Sequence, residues 1–536
     1  MSDVAARRTG TPWLQLSWER VMAAPGRIIL AVGLLLAVAL ALPGETVATR
    51  LLEDLFAILD GVQRVSWGQV PNRDFHSAFG PLVAYIPALG YWLTGSLGAA
   101  LPLGNAIVVA VVAAVLSYVL PSRLSPALAI PFGFFLLVVL AAPLNLGDGI
   151  TALSFNQFFN RIGWVGLAAL LVFFLPVRGK IQPRLLMDVA CAAGLVLLLI
   201  YTRATYGLVA LVFLLFMLTD RRQWRWAALS LAAVVVAAGL IELVWRSSFA
   251  YAEDVGLALA AGGLLRGTPA QWLELFLGNF ADYILLGFLS GLLFWRRFRL
   301  RDLLFVLFCA LAGFWLINQN DQRWGIIVMH AAAAVVAERL LREMAHKPAP
   351  AGQLVNAAGV QLFLFGLLFP TMVHCTAALL LHAGTAVVNG GQSLAIARLE
   401  RVRLADLWTP GEFGGSRWYL DLVGDGLRAL EAADQPPGRI VVLGGPNPFS
   451  ATLDLAPATG DVAQMRWGAT HNPAHHIDPE QFLSSADTVM ERLAAGGTGD
   501  LGAVYLPYVV EHFTVAAQTR DWRIYQRTTG AEPTIP

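Results

Sequence analysis

The sequence predicts a polytopic α-helical membrane protein with about 11 to 13 transmembrane helices and a small external α/β domain at its C-terminal end. Three observations predict it. Of 536 residues, 57% are hydrophobic and only 14% charged, against roughly 25% charged in soluble domains. The apolar residues collect in runs of about 15 to 28, the length that crosses a bilayer. After residue 382 the long runs stop and short, strand-like ones replace them. The formal net charge of +1 gives no reason to expect a nucleic-acid partner. It is unevenly divided: residues 383–536 hold 11 arginines against 17 acidic residues, net −6, which leaves +7 for residues 1–382. Cys191, Cys309 and Cys375 lie in apolar runs, where a thiol behaves as a small hydrophobe, so no disulfide framework is expected. Lys180 and Lys347 are the only lysines, which makes Schiff-base chemistry an improbable function.

The first apolar run, 28–43, follows Arg7, Arg8, Arg20 and Arg27 and lacks a small-residue cleavage site, so it reads as a retained first span. Further runs lie near 81–98, 104–120, 126–143, 162–177, 185–200, 206–219, 226–244, 271–294, 302–317, 324–341 and 354–381. From residue 178 onward arginines collect in every second loop: Arg178/Arg184, Arg221/Arg222/Arg225, Arg296/Arg297/Arg299/Arg301 and Arg339/Arg342. Short cytoplasmic loops retain positive charge, so these loops are expected inside and the tail outside. Twelve crossings from an internal N-terminus would return the tail to the inside. The charge pattern therefore requires one run not to cross, either between Pro81 and Pro143 or by a break of 354–381 at Pro370. In the tail, Arg439 to Gly445, Gly502 to Leu506 and Trp522 to Arg527 read as strands, and 418–433 and 479–494 as helices.

The loop 44–80 carries the most informative segment. An amphipathic stretch from Leu51 to Val62 precedes Gly68-Gln-Val-Pro-Asn-Arg-Asp-Phe-His-Ser-Ala-Phe-Gly-Pro81. An acidic side chain beside an arginine, in a Pro/Gly-bounded loop at the membrane surface, suits a base that activates an acceptor facing a phosphate site. Asp74 is the candidate base, with Arg73 and His76 as neighbours. The competing reading is that Asp74 pairs with Arg73 or caps the next helix.

These features resemble bacterial members of the GT-C superfamily, integral-membrane glycosyltransferases that use polyprenyl-phosphate sugars. The resemblance rests on a first span, a long external loop with Pro-x-Arg-Asp-Phe, Gly-Pro opening the next helix, many spans and an external C-terminal domain. It implies an inverting transfer in which Asp74 deprotonates an acceptor hydroxyl and the lipid phosphate leaves. Several branches carry paired acidic residues in this loop, whereas Asp74 is flanked by Arg73 and Phe75.

A second polar set, Asn145-Leu-Gly-Asp148 and Ser154-Phe-Asn-Gln-Phe-Phe-Asn160-Arg161, precedes the run at 162–177. Amides and a guanidinium can hold sugar hydroxyls and phosphate oxygens, and aromatics can stack on pyranose faces; an interfacial aromatic belt is the alternative. Asp148 is a candidate second carboxylate, and a divalent cation there stays open. Arg203, in Tyr201-Thr-Arg203, and Gln322-Arg323 fall in short loops on the expected external side, where arginine is unusual. With Asn160 and Arg161 they make a proposed phosphate site, the alternative being snorkelling helix ends. His330, His374, His382, Glu242 and Asp282 sit in or near apolar runs. His471, His475 and His476 have ligand types without metal spacing, and Gly444-Gly445-Pro446 lacks a nucleotide-binding pattern.

The expected function is a glycosyltransferase of a bacterial inner membrane, multi-pass with a periplasmic tail. Its expected partners are a polyprenyl-phosphate sugar donor, a glycan, lipid or protein acceptor, and the bilayer. The alternative is a transporter or lipid-linked-sugar flippase, which would show internal repeats and broken helices.

Overall fold

The computed structural model describes residues 24–179, 184–319, 322, 325–346, 356–433, 435–493 and 499–528. Each long apolar run is a helix, because a backbone in hydrocarbon must satisfy its own N–H and C=O groups. In order these are α1 (Pro25–Ala41), β1 (Thr46–Ala48), α2 (Leu52–Ser66), α3 (Leu82–Thr94), α4 (Leu97–Arg123), α5 (Pro126–Ala141) and α6 (Phe158–Leu171). There follow α7 (Leu185–Thr202), α8 (Ala204–Leu218), α9 (Trp224–Trp245), α10 (Ser248–Gly262), α11 (Pro269–Gly278), α12 (Phe280–Arg296), α13 (Leu300–Gln319), α14 (Ile327–His346) and α15 (Ala357–Val387). Among the described residues five helices, α4, α7, α9, α13 and α15, are long and apolar enough to cross a bilayer alone. The pair α11 and α12, bent by 61° at Asn279, makes a sixth, and shorter apolar helices complete the bundle.

The arginine clusters meet on one face. Arg297 and Arg299 pair with Glu343, Arg301 with Asp220, and Arg339 with Asp302. Arg123 joins Asp188 at 2.8 Å, and Arg342 bonds the carbonyls of Arg123 and Pro176. The first loop and the tail share the opposite face.

The uneven crossing falls at α3. Its 13 residues reach only about 20 Å, and both of its ends stay on the first-loop face. Gly80, before it, bonds the Thr202 carbonyl at the end of α7, and a Cβ on Gly80 would stand 2.1 Å from the Tyr201 carbonyl oxygen. After it, Gly95 turns the chain in the left-handed region (φ 66°). Gly98 then lies against the Arg401 backbone of the tail, where a Cβ would be 2.4 Å from that carbonyl oxygen. The run 81–98 therefore folds back beside the start of α4.

The tail is stitched to the loop. A sheet of order β1-β3-β2 pairs β1 in parallel with β3 (Val402–Leu404), and β2 (Gln392–Ser393) antiparallel on its other edge. A second sheet, β4-β5-β7-β6, contains β4 (Ile440–Leu443), β5 (Thr488–Arg492), β6 (Phe513–Gln518) and β7 (Trp522–Arg527). Helices α16 (Pro410–Glu431), α17 (Phe449–Thr452), α18 (Pro479–Leu483) and α19 (Gly499–His512) complete the tail. Two tail expectations change. Gly502 to Leu506 is helical, because Leu501, Tyr505 and Val509 bury one face at a spacing of four. The expected helix 479–494 ends at Leu483, and 488–492 is a fully buried strand between β4 and β7.

Candidate functional site

Helix α2 starts just after β1 and lays its apolar side on α3, which puts its first turn, Glu53 and Asp54, at the mouth of the bundle. Asp54 is the point where three separate segments converge. Asn156 Nδ2 donates to its Oδ2 at 2.8 Å, while Gln464 Nε2 and Arg466 Nη2 donate to its Oδ1 at 3.2 and 3.1 Å. About a fifth of its side chain remains accessible (21%).

Two chambers adjoin there, sharing Asn156, Gln157 and Arg466 in their walls. The inner chamber is bounded by Phe79, Phe159, Asn160, Arg203, Arg266 and Gln464; among the described residues it is lined by three guanidiniums, counting Arg466, and by no carboxylate. Among the described residues Arg203 donates to neutral oxygens, Asn160 Oδ1 and the Gln319 carbonyl, both at 3.0 Å. Its guanidinium also lies over the rings of Phe79 and Phe159, at 5.4 and 5.5 Å. Loss of hydration by burial, with Arg266 and Arg466 nearby, lowers its pKa to about 10. It stays charged at neutral pH in surroundings that an anion would complete.

The outer chamber has the opposite balance. Asp54, Asp148 and Glu412 face Arg50 and Arg466 around Asn145 and Gln157. Arg50 bridges Asp148 at 3.1 Å and Glu412 at 3.3 Å, and His374 Nε2 meets the Asp148 carbonyl at 2.8 Å. Among the described residues no group of three His, Cys, Asp or Glu side chains forms a metal site.

The roof over both chambers is the tail segment 459–471, clamped twice. Arg64 of α2, fully buried, takes Asp461 in a two-point contact at 2.6 and 2.8 Å and Asp60 at 2.6 Å. His76 Nδ1 meets Asp254 of α10 at 2.7 Å, and its backbone N–H donates to the Asp461 carbonyl. Burial lowers the His471 pKa to about 4, so this part of the roof is neutral across physiological pH.

Of the residues singled out in the sequence, Asn160, Arg203 and Asp148 line the chambers, and His76 holds the roof. Asp74 does not line either one. Its Oδ2 accepts from Val70 N at 2.7 Å, and Arg73 grips both its oxygens at 3.0 Å, so the pair closes the 70–75 turn. Arg161 lies outside the expected arginine cluster: it is buried and donates to the Leu144 carbonyl at 2.6 Å, fixing the loop that carries Asn145 and Asp148. Gln322 is likewise occupied, accepting from Trp164 Nε1 at 2.8 Å and donating to the Gly325 carbonyl. Arg323 lies outside the described residues. Glu242 accepts from the Ser247 and Ser248 backbone and the Ser248 hydroxyl, and His330 and His382 meet backbone groups.

The residues not singled out are Asp54, Arg50, Arg266, Glu412, Gln464 and Arg466. A signal for the first was present: Glu53-Asp54 is an acidic pair opening the amphipathic stretch directly after the first span. Arg266 and Arg466 had none, since only folding brings α10's end and the tail to the first loop.

Neither a family model nor a curated protein matches the sequence. Two solved structures follow a similar chain course. ArnT from Cupriavidus metallidurans bound to undecaprenyl phosphate matches with a TM-score of 0.44 and 13% identity, over 97% of this chain and 99% of that one. The same protein in the apo state matches with a TM-score of 0.45 and 14% identity, over 97% and 100%. At these scores the matches establish no residue-for-residue correspondence.

Proposed function

We propose that this chain is a GT-C-type membrane glycosyltransferase that transfers a sugar from a polyprenyl-phosphate donor to an acceptor hydroxyl, with inversion, on the face shared by the first loop and the tail. In a bacterial inner membrane that face would be periplasmic. The observation that carries the reading is Asp54, held by three hydrogen bonds where a chamber lined by three arginines meets an acid-lined one.

The donor phosphate sits in the inner chamber. Arg203, Arg266 and Arg466 supply planar guanidiniums for its oxygens and stabilise the charge that grows as the glycosyl bond breaks. The acceptor approaches from the outer chamber. Asp54 takes the proton from its hydroxyl as the oxygen attacks the anomeric carbon from the side opposite the phosphate, by analogy with inverting sugar chemistry. Asn156, Gln464 and Arg466 fix the direction of the carboxylate. On this reading the base is Asp54, while Asp74 with Arg73 shapes the loop beneath the roof.

The test is transfer from a radiolabelled polyprenyl-phosphate sugar in proteoliposomes, with variants matched for folded protein. Asp54→Asn should lower turnover by about 10² to 10⁴, the range for a lost general base, and Asp74→Asn should keep most of it. Turnover lost in Asp74→Asn and kept in Asp54→Asn would return the base to Asp74. Translocation of lipid without transfer would move the chain to the flippase class.

A further inference from the structure

We infer that the outer chamber is a saccharide site, so that the acceptor is a polyhydroxylated glycan and not an acyl lipid or a peptide. The inference rests on the transferase reading and names its acceptor class.

Five of the chamber's walls are charged groups: Asp54, Asp148 and Glu412 against Arg50 and Arg466. Burying an acyl chain against such groups would strip their water without replacing it. Three carboxylates against two guanidiniums also make the chamber unfavourable for a phosphorylated or carboxylated acceptor. Sugar hydroxyls suit it, because each both donates and accepts, and can serve a carboxylate and a guanidinium together.

A separate observation points to an absent ligand. Asn145 lines the chamber, is only 7% exposed, and its Oδ1 has no hydrogen-bond partner. A buried amide oxygen left unmet costs about 1–3 kcal/mol, and native proteins rarely keep one without a reason. Its segment is held firmly: Arg161 bonds the Leu144 carbonyl, the Ser154 N–H bonds the Pro143 carbonyl, and the Asp148 N–H bonds Asn145's own carbonyl. The Asn145 Oδ1 is shielded as it stands, and a half-turn of the amide that brings it to the chamber would let an acceptor hydroxyl donate to it, while Asp148 and Asp54 receive neighbouring hydroxyls.

The test is saturation-transfer NMR on the full chain in lipid nanodiscs, with a panel of methyl glycosides of glucose, galactose and mannose and a Ser/Thr-containing peptide as comparison. At least one glycoside should bind wild type. Asn145→Leu, which keeps the volume and removes the amide, should weaken it by about 10-fold or more while polyprenyl phosphate still binds. Arg203→Gln should weaken polyprenyl phosphate and leave the glycoside bound. Absence of glycoside binding to wild type, binding indifferent to Asn145→Leu, or binding of the peptide instead would overturn the assignment. Glycoside binding that Asn145→Leu removes supports the chamber even if polyprenyl phosphate fails to bind wild type, a result that would overturn the donor reading alone.

Discussion

Arg203 and Arg161 are both arginines near the start of a helix on the first-loop side, yet their surroundings give them different work. Arg161 spends its guanidinium on a carbonyl of the 142–157 loop, whereas Arg203 faces a chamber with Arg266 and Arg466 and donates there to the neutral oxygens of Asn160 and Gln319. Arg203→Gln should weaken polyprenyl-phosphate binding about 10- to 100-fold, the value of one charge-assisted contact of about 1.5–3 kcal/mol. Arg161→Gln should leave affinity within about 3-fold while lowering thermal stability, because it removes a hold on the loop and not a ligand contact. With its pKa lowered to about 10 by burial, Arg203 stays protonated at neutral pH. Donor affinity should therefore be flat from pH 6 to 9 and fall as pH rises through about 10. A fall centred near neutral pH would assign the anion contact to another group.

Helix α2 and the roof form one mechanical element, because Arg64 joins them while completely excluded from water. Two carboxylates share this guanidinium. Burial outweighs the pull of Arg64 at Asp60 and raises its pKa to about 6, while Asp461 has the two-point contact. Removing Asp461 leaves the buried cation with one partner, and breaking a buried pair costs about 3–5 kcal/mol. Asp461→Asn should lower the unfolding temperature in detergent markedly, and Asp60→Asn only slightly. The sign with pH follows. A raised carboxylate pKa gives stability that is complete below the unfolded value of 3.8 and lost as pH rises through about 6. The stability of Asp60→Asn relative to wild type should therefore improve between pH 4 and 6 and level off above. A gap that widened against Asp60→Asn over that range would mean that Arg64 dominates. Gly98 sets the other join, where α4 meets the tail backbone; Gly98→Val should cost stability without touching either chamber.

Across the whole molecule, the return of α3 leaves an odd number of crossings and puts the first loop and tail on one face. Single cysteines at Thr94 and Ser393, both exposed, should react with a membrane-impermeant maleimide from the same side of sealed vesicles. One at Thr219, exposed at the end of α8 on the arginine face, should react only after permeabilisation. Thr94 labelling with Thr219 would show that 81–98 crosses after all. The arginine periodicity carried this answer in the sequence, since only one non-crossing run reconciles the N-terminal arginines with those after residue 178. Which run turned back depended on Gly80 and Gly98 meeting backbones from residues 201 and 401, contacts between segments far apart in the chain.

The sequence by itself determined the helical membrane architecture and the strands at 440–443 and 522–527, because apolar length and β-branched runs act locally, and it pointed to the first loop as part of the candidate site. It also marked Asp148 and Asn160 in an external polar set and Arg203 in a short external loop where arginine is unusual, and all three line the chambers. Only the tertiary structure decided which carboxylate lies open. Asp74 and Asp54 have similar local contexts, but one is closed by its own turn and the other is met by Asn156, Gln464 and Arg466 from elsewhere. The helix at 499–512 and the strand at 488–492 were settled the same way, by which faces the neighbouring sheet buries. A site made of long-range partners is specified by packing, and packing is not periodic along a chain.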